Sequence, residues 1–227
     1  MRGRFITIEG GDGAGKSTQV RSLAHRLLET GIPVLVTREP GGTPGAEAAR
    51  ALLLSGATRE LGPDVEAMLF AAARADHVDR LIRPALAGGT WVVSDRFADS
   101  TRAYQGTAGA DEGLLADLER VALDGVSPDL TIILDIPPRI GLDRIRARAR
   151  TMGGAADRFE REDLGVHRRR RRAFLIAAEV EPERCVVVNA QRPSTMVADE
   201  VWRRTVERLA PIAHAASARS RIAAAAA

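Results

Sequence analysis

Residues 4–18, RFITIEGGDGAGKST, constrain the fold of this chain more than any other stretch. A short apolar run ends in glycine, a glycine-rich turn follows, and KSTQVRSLAHRLLET (16–30) carries apolar residues at helical spacing until Gly31. Strand, turn and helix in that order predict the first unit of an open α/β sheet, with the turn at the carboxyl end of the strand. The turn matches G-x-x-x-x-G-K-[ST] at Gly10, Gly15, Lys16 and Ser17. Along Gly10, Gly11, Asp12, Gly13, Ala14, Gly15, Lys16, Ser17 and Thr18 the backbone can curl so that successive N–H groups point inward at phosphate oxygens. The positive end of the following helix adds to that attraction. In such a loop Lys16 reaches the β- and γ-phosphates of a nucleoside triphosphate and the Ser17 hydroxyl ligates Mg²⁺.

Lys16 is also the only lysine among 33 Lys and Arg residues. In a chain that uses arginine everywhere else, a lysine is expected where a compact ammonium fits and a broad guanidinium does not. The arginines offset 30 carboxylates to leave a net charge of only +3, so basic composition alone does not predict nucleic-acid binding. The run RRRRR (168–172) is expected to form a solvated helix face or to pair with carboxylates a turn earlier, and no interleaved aromatics offer stacking platforms for bases. No apolar run has the length of a membrane span, and MRGRFITIEG is too quickly polar for a secretory signal, so a cytoplasmic protein is expected. Cys185, in the apolar run CVVVNA, reads as a small buried hydrophobe, and the 4 histidines lack metal-ligand spacing.

Beyond the first unit the elements keep alternating. Strands are predicted at 4–10, 33–42, 90–97, 129–138 and 185–190, and helices at about 45–54, 64–83, 111–123, 138–149, 160–180 and 194–209. The strands are continuous apolar runs, which predicts burial on both faces. The expected architecture is α/β: a five-stranded parallel sheet with helices on both faces, in one domain over residues 1–212. The tail 213–227 is low-complexity and is expected to be mobile.

Ligands of open α/β sheets lie beyond the carboxyl ends of the strands. Three such ends carry charge here: Asp12 in the first loop, Arg38 and Glu39 after the second strand, Asp95 and Arg96 after the third. Two arginines and three carboxylates around one phosphate loop suit a second anionic substrate and a metal. A guanine-reading N-K-x-D element is excluded, because Lys16 is already used. A phosphate-loop ATPase without an acceptor, a kinase for another nucleoside monophosphate or for a deoxynucleoside, and a polyanion-binding protein are the alternatives.

Four further motifs follow the loop in order: TREPGGT (37–43), DRFADSTRAYQG (95–106), PDLTIILDIPP (128–138) and DRFE (157–160). Together with IEGGDGAGKST they resemble the thymidylate kinase family over about residues 3–209. The resemblance implies a P-loop nucleoside monophosphate kinase-like fold and direct transfer from ATP to dTMP, with Mg²⁺, no nucleic-acid or membrane partner, and a homodimer. It implies that Arg38 and Arg96 hold the monophosphate, that Asp12 meets the sugar 3′-hydroxyl, and that Asp95 acts on Mg²⁺ through water, with Glu39 in the same network. It further implies that Phe70 stacks on thymine, Arg74 donates to a thymine carbonyl, Thr101 and Gln105 flank the base or sugar, and Tyr104 crowds the 2′ position. The stretch 144–160 is similar to a mobile lid, with its core at about 146–160. Some family members carry an arginine just after the loop aspartate, where this chain has Gly13. The resemblance is therefore to the class whose lid supplies that arginine. Arg148, Arg150 and Arg158 are candidates, and the implied catalytic set is Lys16, Arg96, Arg150 and Arg158. Adenine is expected near the lid arginines and NAQRP (189–193). Phe97 stands where the family usually has tyrosine.

Overall fold

The computed structural model describes residues 2–152, 159–160 and 162–210. Its strands are β1 (Phe5–Gly10), β2 (Val34–Arg38), β3 (Trp91–Asp95), β4 (Leu130–Asp135) and β5 (Cys185–Asn189). Its helices are α1 (Lys16–Glu29), α2 (Pro44–Ser55), α3 (Gly62–His77), α4 (Arg83–Ala87), α5 (Ala98–Tyr104), α6 (Glu112–Leu123), α7 (Pro138–Met152), α8 (Leu164–Val180) and α9 (Ser194–Leu209). The five strands pair in parallel in the order β2-β3-β1-β4-β5.

The period of two along each strand divides the apolar residues between two cores. Ile6 and Ile8, Trp91 and Val93, and Leu130, Ile132 and Leu134 pack with Val20, Leu23 and Leu27 of α1 and Val197 and Val201 of α9. Phe5 and Val92 turn the other way, onto Phe97 and the segment Val78, Ile82 and Leu86. Ile133 and Cys185 meet Ala103 and Tyr104 of α5 and Phe174 of α8. Coverage of both faces explains the continuous apolar runs of the central strands. At the two edges the expectation of full burial is corrected: Val36 of β2 and Val187 of β5 are exposed.

Two helical expectations also change. The predicted helix 64–83 is α3, then a π-helical turn over Val78–Ile82, then α4. Pro84 lacks an N–H for the carbonyl four residues back, and the wider turn precedes it. Helix α5, seven residues long, was not predicted, because ADSTRAY is too short and polar to show a helical period. The tail 213–227 lies outside the described residues. No described helix is long and apolar enough to cross a membrane.

Register fixes where chemistry can occur. Asp95 lies opposite both Ile8 and Arg38, and Gly10 lies opposite Leu134, so the loops leaving β1, β2 and β3 emerge along one sheet edge. Chain order also reverses there, with β3 on one side of β1 and β4 on the other. A crevice at such a reversal is the general binding position of this architecture.

Candidate active site

The loop from Gly10 to Gly15 delivers the chain to α1 with no side-chain cap and no acidic residue in the first helical turn. The first N–H groups of α1 and its positive end are thus left for an anion. The Lys16 ammonium lies within the loop, donating to the carbonyls of Gly10 at 3.0 Å and Gly11 at 2.9 Å. Burial, and then the neighbouring Arg96, pull its pKa down to about 8. At Gly13, with φ +76°, a Cβ would stand 2.1 Å from the carbonyl oxygen of Gly141. A Cβ at Gly141 would in turn stand 2.3 Å from that of Asp12. Loop and α7 therefore touch backbone to backbone, and position 13 has no room for a side chain.

Arg96 follows β3 in the left-handed region, φ 73°, a conformation that costs a non-glycine residue about 1–3 kcal/mol. Its N–H donates to Ile8 O, and Ser94 Oγ donates to its carbonyl. That backbone turn aims the guanidinium across the sheet edge. Nη2 donates to Asp12 Oδ1 at 2.6 Å and to the Tyr104 hydroxyl at 2.9 Å, while Nη1 donates to Ser100 Oγ at 2.9 Å. The Tyr104 hydroxyl closes the ring by donating to Asp12 Oδ2 at 2.8 Å. Burial opposes ionisation of Asp12, but Arg96, Lys16 and the Tyr104 hydrogen bond outweigh it and hold the carboxyl below its ordinary value. Close by, Ser17 Oγ donates to Asp95 Oδ2 at 2.5 Å.

A cavity of about 700 Å³ opens beside this cluster. The loop residues Asp12, Gly13, Gly15, Lys16, Ser17 and Thr18 line one end, while Gly10, Gly11 and Ala14 are not in its wall. Arg38, Glu39, Phe70, Arg74, Asp95, Arg96, Thr101, Tyr104 and Gln105 line the rest. Arg38 is held by Glu47 at 2.9 Å, and Glu47 also accepts from the Gly42 N–H. Arg74 is buried, with Nε on Glu39 at 2.8 Å and Nη2 on the Phe97 carbonyl and on Thr101 Oγ1. The Phe70 and Phe159 rings lie with centroids 6.5 Å apart, tilted by 51°. A second cavity of about 530 Å³ shares Gly13, Gly15, Thr18 and Arg148 with the first and extends to Arg144, Gln191, Arg192 and Pro193.

Among the three lid arginines, Arg148 lines both cavities and donates to Glu160 at 3.4 Å. Arg150 is exposed and outside both walls, two residues further round the helix. Arg158 lies outside the described residues, as do residues 153–157 of the expected lid.

The sequence reading missed several groups. Glu9, fully buried, accepts from the N–H groups of Phe97 at 2.7 Å and Ser100 at 3.3 Å and from Ser100 Oγ at 2.6 Å. Its one signal was a carboxylate ending an apolar strand. The RRRRR run is corrected in part: Arg168, Arg169 and Arg172 are exposed, but Arg170 is buried on the Tyr104 ring, and Arg171 pairs through two bonds with Asp135. Cys185 is buried, and burial pushes its thiol up to about 11.

Glu9 generates a pH prediction. Burial, and then Asp99, raise its carboxyl from 4.5 to about 7, against the opposing pull of Arg96. The folded state therefore keeps a proton that the unfolded chain has released. Stability from this group is complete below pH 4.5 and is lost as pH rises through about 7. Urea denaturation at a series of pH values should show the wild type losing about 1–3 kcal/mol relative to Glu9→Gln across that window. A difference independent of pH would contradict the assignment.

Comparison with known proteins agrees with this geometry. A family model described as thymidylate kinase matches residues 8–201. A curated thymidylate kinase of Nitrobacter winogradskyi is 54% identical over 203 residues, spanning 89% of this chain and 87% of its own. One of Bradyrhizobium diazoefficiens is 54% identical over 211 residues, 92% of each chain.

Proposed function

The chain belongs to the thymidylate kinase family, and from that membership we propose that it transfers the γ-phosphoryl group of ATP to dTMP, giving ADP and dTDP. One observation carries the reading at the level of residues: Arg96 ties the phosphate-loop carboxylate Asp12 to Tyr104 across a single continuous cavity. A plain ATPase has no use for a cationic and aromatic chamber on the far side of its phosphate loop.

The triphosphate lies on the N–H groups of the loop and α1, with Lys16 on the β- and γ-phosphates. Adenine occupies the second cavity, between Arg144 and the 191–193 segment. The dTMP phosphate meets Arg38 and Arg96, Phe70 stacks on thymine, and Arg74, Thr101 and Gln105 surround its polar edge. Asp12 accepts from the 3′-hydroxyl, and the Tyr104 ring fills the space a 2′-hydroxyl would need. A dTMP phosphate oxygen attacks the γ-phosphorus in line as the bond to the β–γ bridging oxygen breaks, and ADP carries away the electron pair. Two polyanions must approach for this to happen, and fixed guanidinium groups lower that repulsion without reorganisation. Arg148 is the lid arginine assigned to the transferring group, because it lines both cavities.

The Ser17 hydroxyl and Asp95 carboxylate form a hard-oxygen pair suited to Mg²⁺. No cluster of three or more His, Cys, Asp or Glu able to hold a metal occurs among the described residues, in keeping with a Mg²⁺ that arrives on nucleotide phosphates. Ser17 and Asp95 would hold it, and when bound it would neutralise charge on the nucleotide phosphates. The proposal includes one kinase domain over 1–212, a cytoplasmic location and a homodimer. Leu52, Leu61 and Met68 expose apolar surface on and beside α2 and α3, and that face is the one assigned to the dimer.

ADP release with Mg-ATP tests the reaction. It should require an acceptor and rank dTMP first, dUMP weaker and UMP absent; equal release without acceptor would mean an ATPase. Replacing Arg148 with Ala should lower kcat at least 10³-fold, on the order seen for arginines on a transferring phosphoryl group, with KM for dTMP little changed. Arg150→Ala should stay near wild type, and the reverse ranking would contradict the assignment.

A further inference from the structure

Arg170 is buried to 3% exposure in α8 and does not line the cavity. A charge in that position is costly unless it is paired, and an apolar side chain of similar volume would pack there as well or better. Its surroundings say what the charge is used for. The guanidinium carbon stands 4.1 Å from the centroid of the Tyr104 ring and 5.6 Å from that of Phe159. Nη2 donates to Glu162 Oε2 at 2.5 Å, Nη1 donates to the Phe159 carbonyl at 3.4 Å, and Nε is buried without a partner.

The other contacts of Tyr104 complete the picture. Its hydroxyl is fixed by Asp12 and Arg96, and the Arg96 guanidinium carbon lies 4.9 Å from the same ring. Phe159 and Phe174 meet the ring edge-on at 5.6 Å and 6.4 Å. The hydroxyl bonds and Cβ fix the two ends of the ring but leave rotation about the axis between them. A flat cation over the ring face opposes that rotation, and the same cation is bonded to Glu162 and to the Phe159 carbonyl.

We propose that Arg170 is a positioning residue: it sets the plane of Tyr104 and so the room at the sugar 2′ position, and it does so while itself clamped by Glu162 and Phe159. The inference rests on Tyr104 being the residue that excludes ribose. Arg170 then belongs to sugar specificity although it touches no substrate.

The test compares kcat/KM for dTMP with that for ribothymidine 5′-monophosphate, which differs only by the 2′-hydroxyl. Arg170→Met, which keeps volume and loses the charge, should reduce that discrimination about tenfold, as expected for loss of a desolvated cation–π contact. KM for ATP should not move. Glu162→Gln, at a partly exposed position, keeps an acceptor for Arg170 and should shift discrimination in the same direction by a smaller factor. Arg170→Lys should recover only part of the loss, since an ammonium lacks the planar face. In a Tyr104→Ala background Arg170→Met should change nothing further. Stability or overall rate falling with discrimination unchanged in both Arg170→Met and Glu162→Gln would overturn the proposal and leave Arg170 a packing residue. If Tyr104→Ala itself left discrimination unchanged, the sugar reading would fail and this inference with it. A shift in Tyr104→Ala alone would overturn only the role of Arg170.

Discussion

The contact between Arg96 and Asp12 is the one on which the rest of the site depends. Each half is largely withdrawn from water, and a charge so placed demands a partner. Joined at 2.6 Å, they connect the loop after β1 to the loop after β3 along one wall of the cavity. The left-handed backbone of Arg96 is the local cost of that aim, held by Ile8 and Ser94 behind it. Its geometry also explains Glu9, whose carboxylate receives the N–H groups of Phe97 and Ser100 as the chain turns.

Electrostatic tension is a common property of this wall. Lys16 and Arg96 lie among Asp12, Asp95 and Glu9, and burial lowers the pKa of Lys16 and raises that of Glu9. Fixed cationic groups such as Lys16 and Arg96 suit the phosphates of two nucleotides. Binding of those phosphates relieves the repulsion, so part of the binding energy is prepared by the fold itself.

Much of this was legible in the residues, and the reasons differ by element. The phosphate loop could be read because its backbone geometry demands glycine at fixed positions and its chemistry demands lysine. The parallel sheet could be read because burial on both faces writes continuous apolar runs. Helix α5 could not, since seven largely polar residues show no period, and its importance lies in bringing Ser100, Thr101 and Tyr104 to the cavity. Arg170 was hidden for a different reason: in RRRRR every position looks alike, and only the rotation of α8 decides which side chain meets Tyr104 and which meets water. The same hundred degrees per residue places Arg148, and not Arg150, in the cavity wall.

The most direct test of the central claim is a double-mutant cycle between Asp12→Asn and Tyr104→Phe, read as kcat/KM for dTMP. If the Asp12–Arg96–Tyr104 ring acts as one unit, the two effects should be coupled by about 1 kcal/mol or more. Additivity within about 0.5 kcal/mol would mean that loop and acceptor chamber work independently, and the account of a single wall would be wrong.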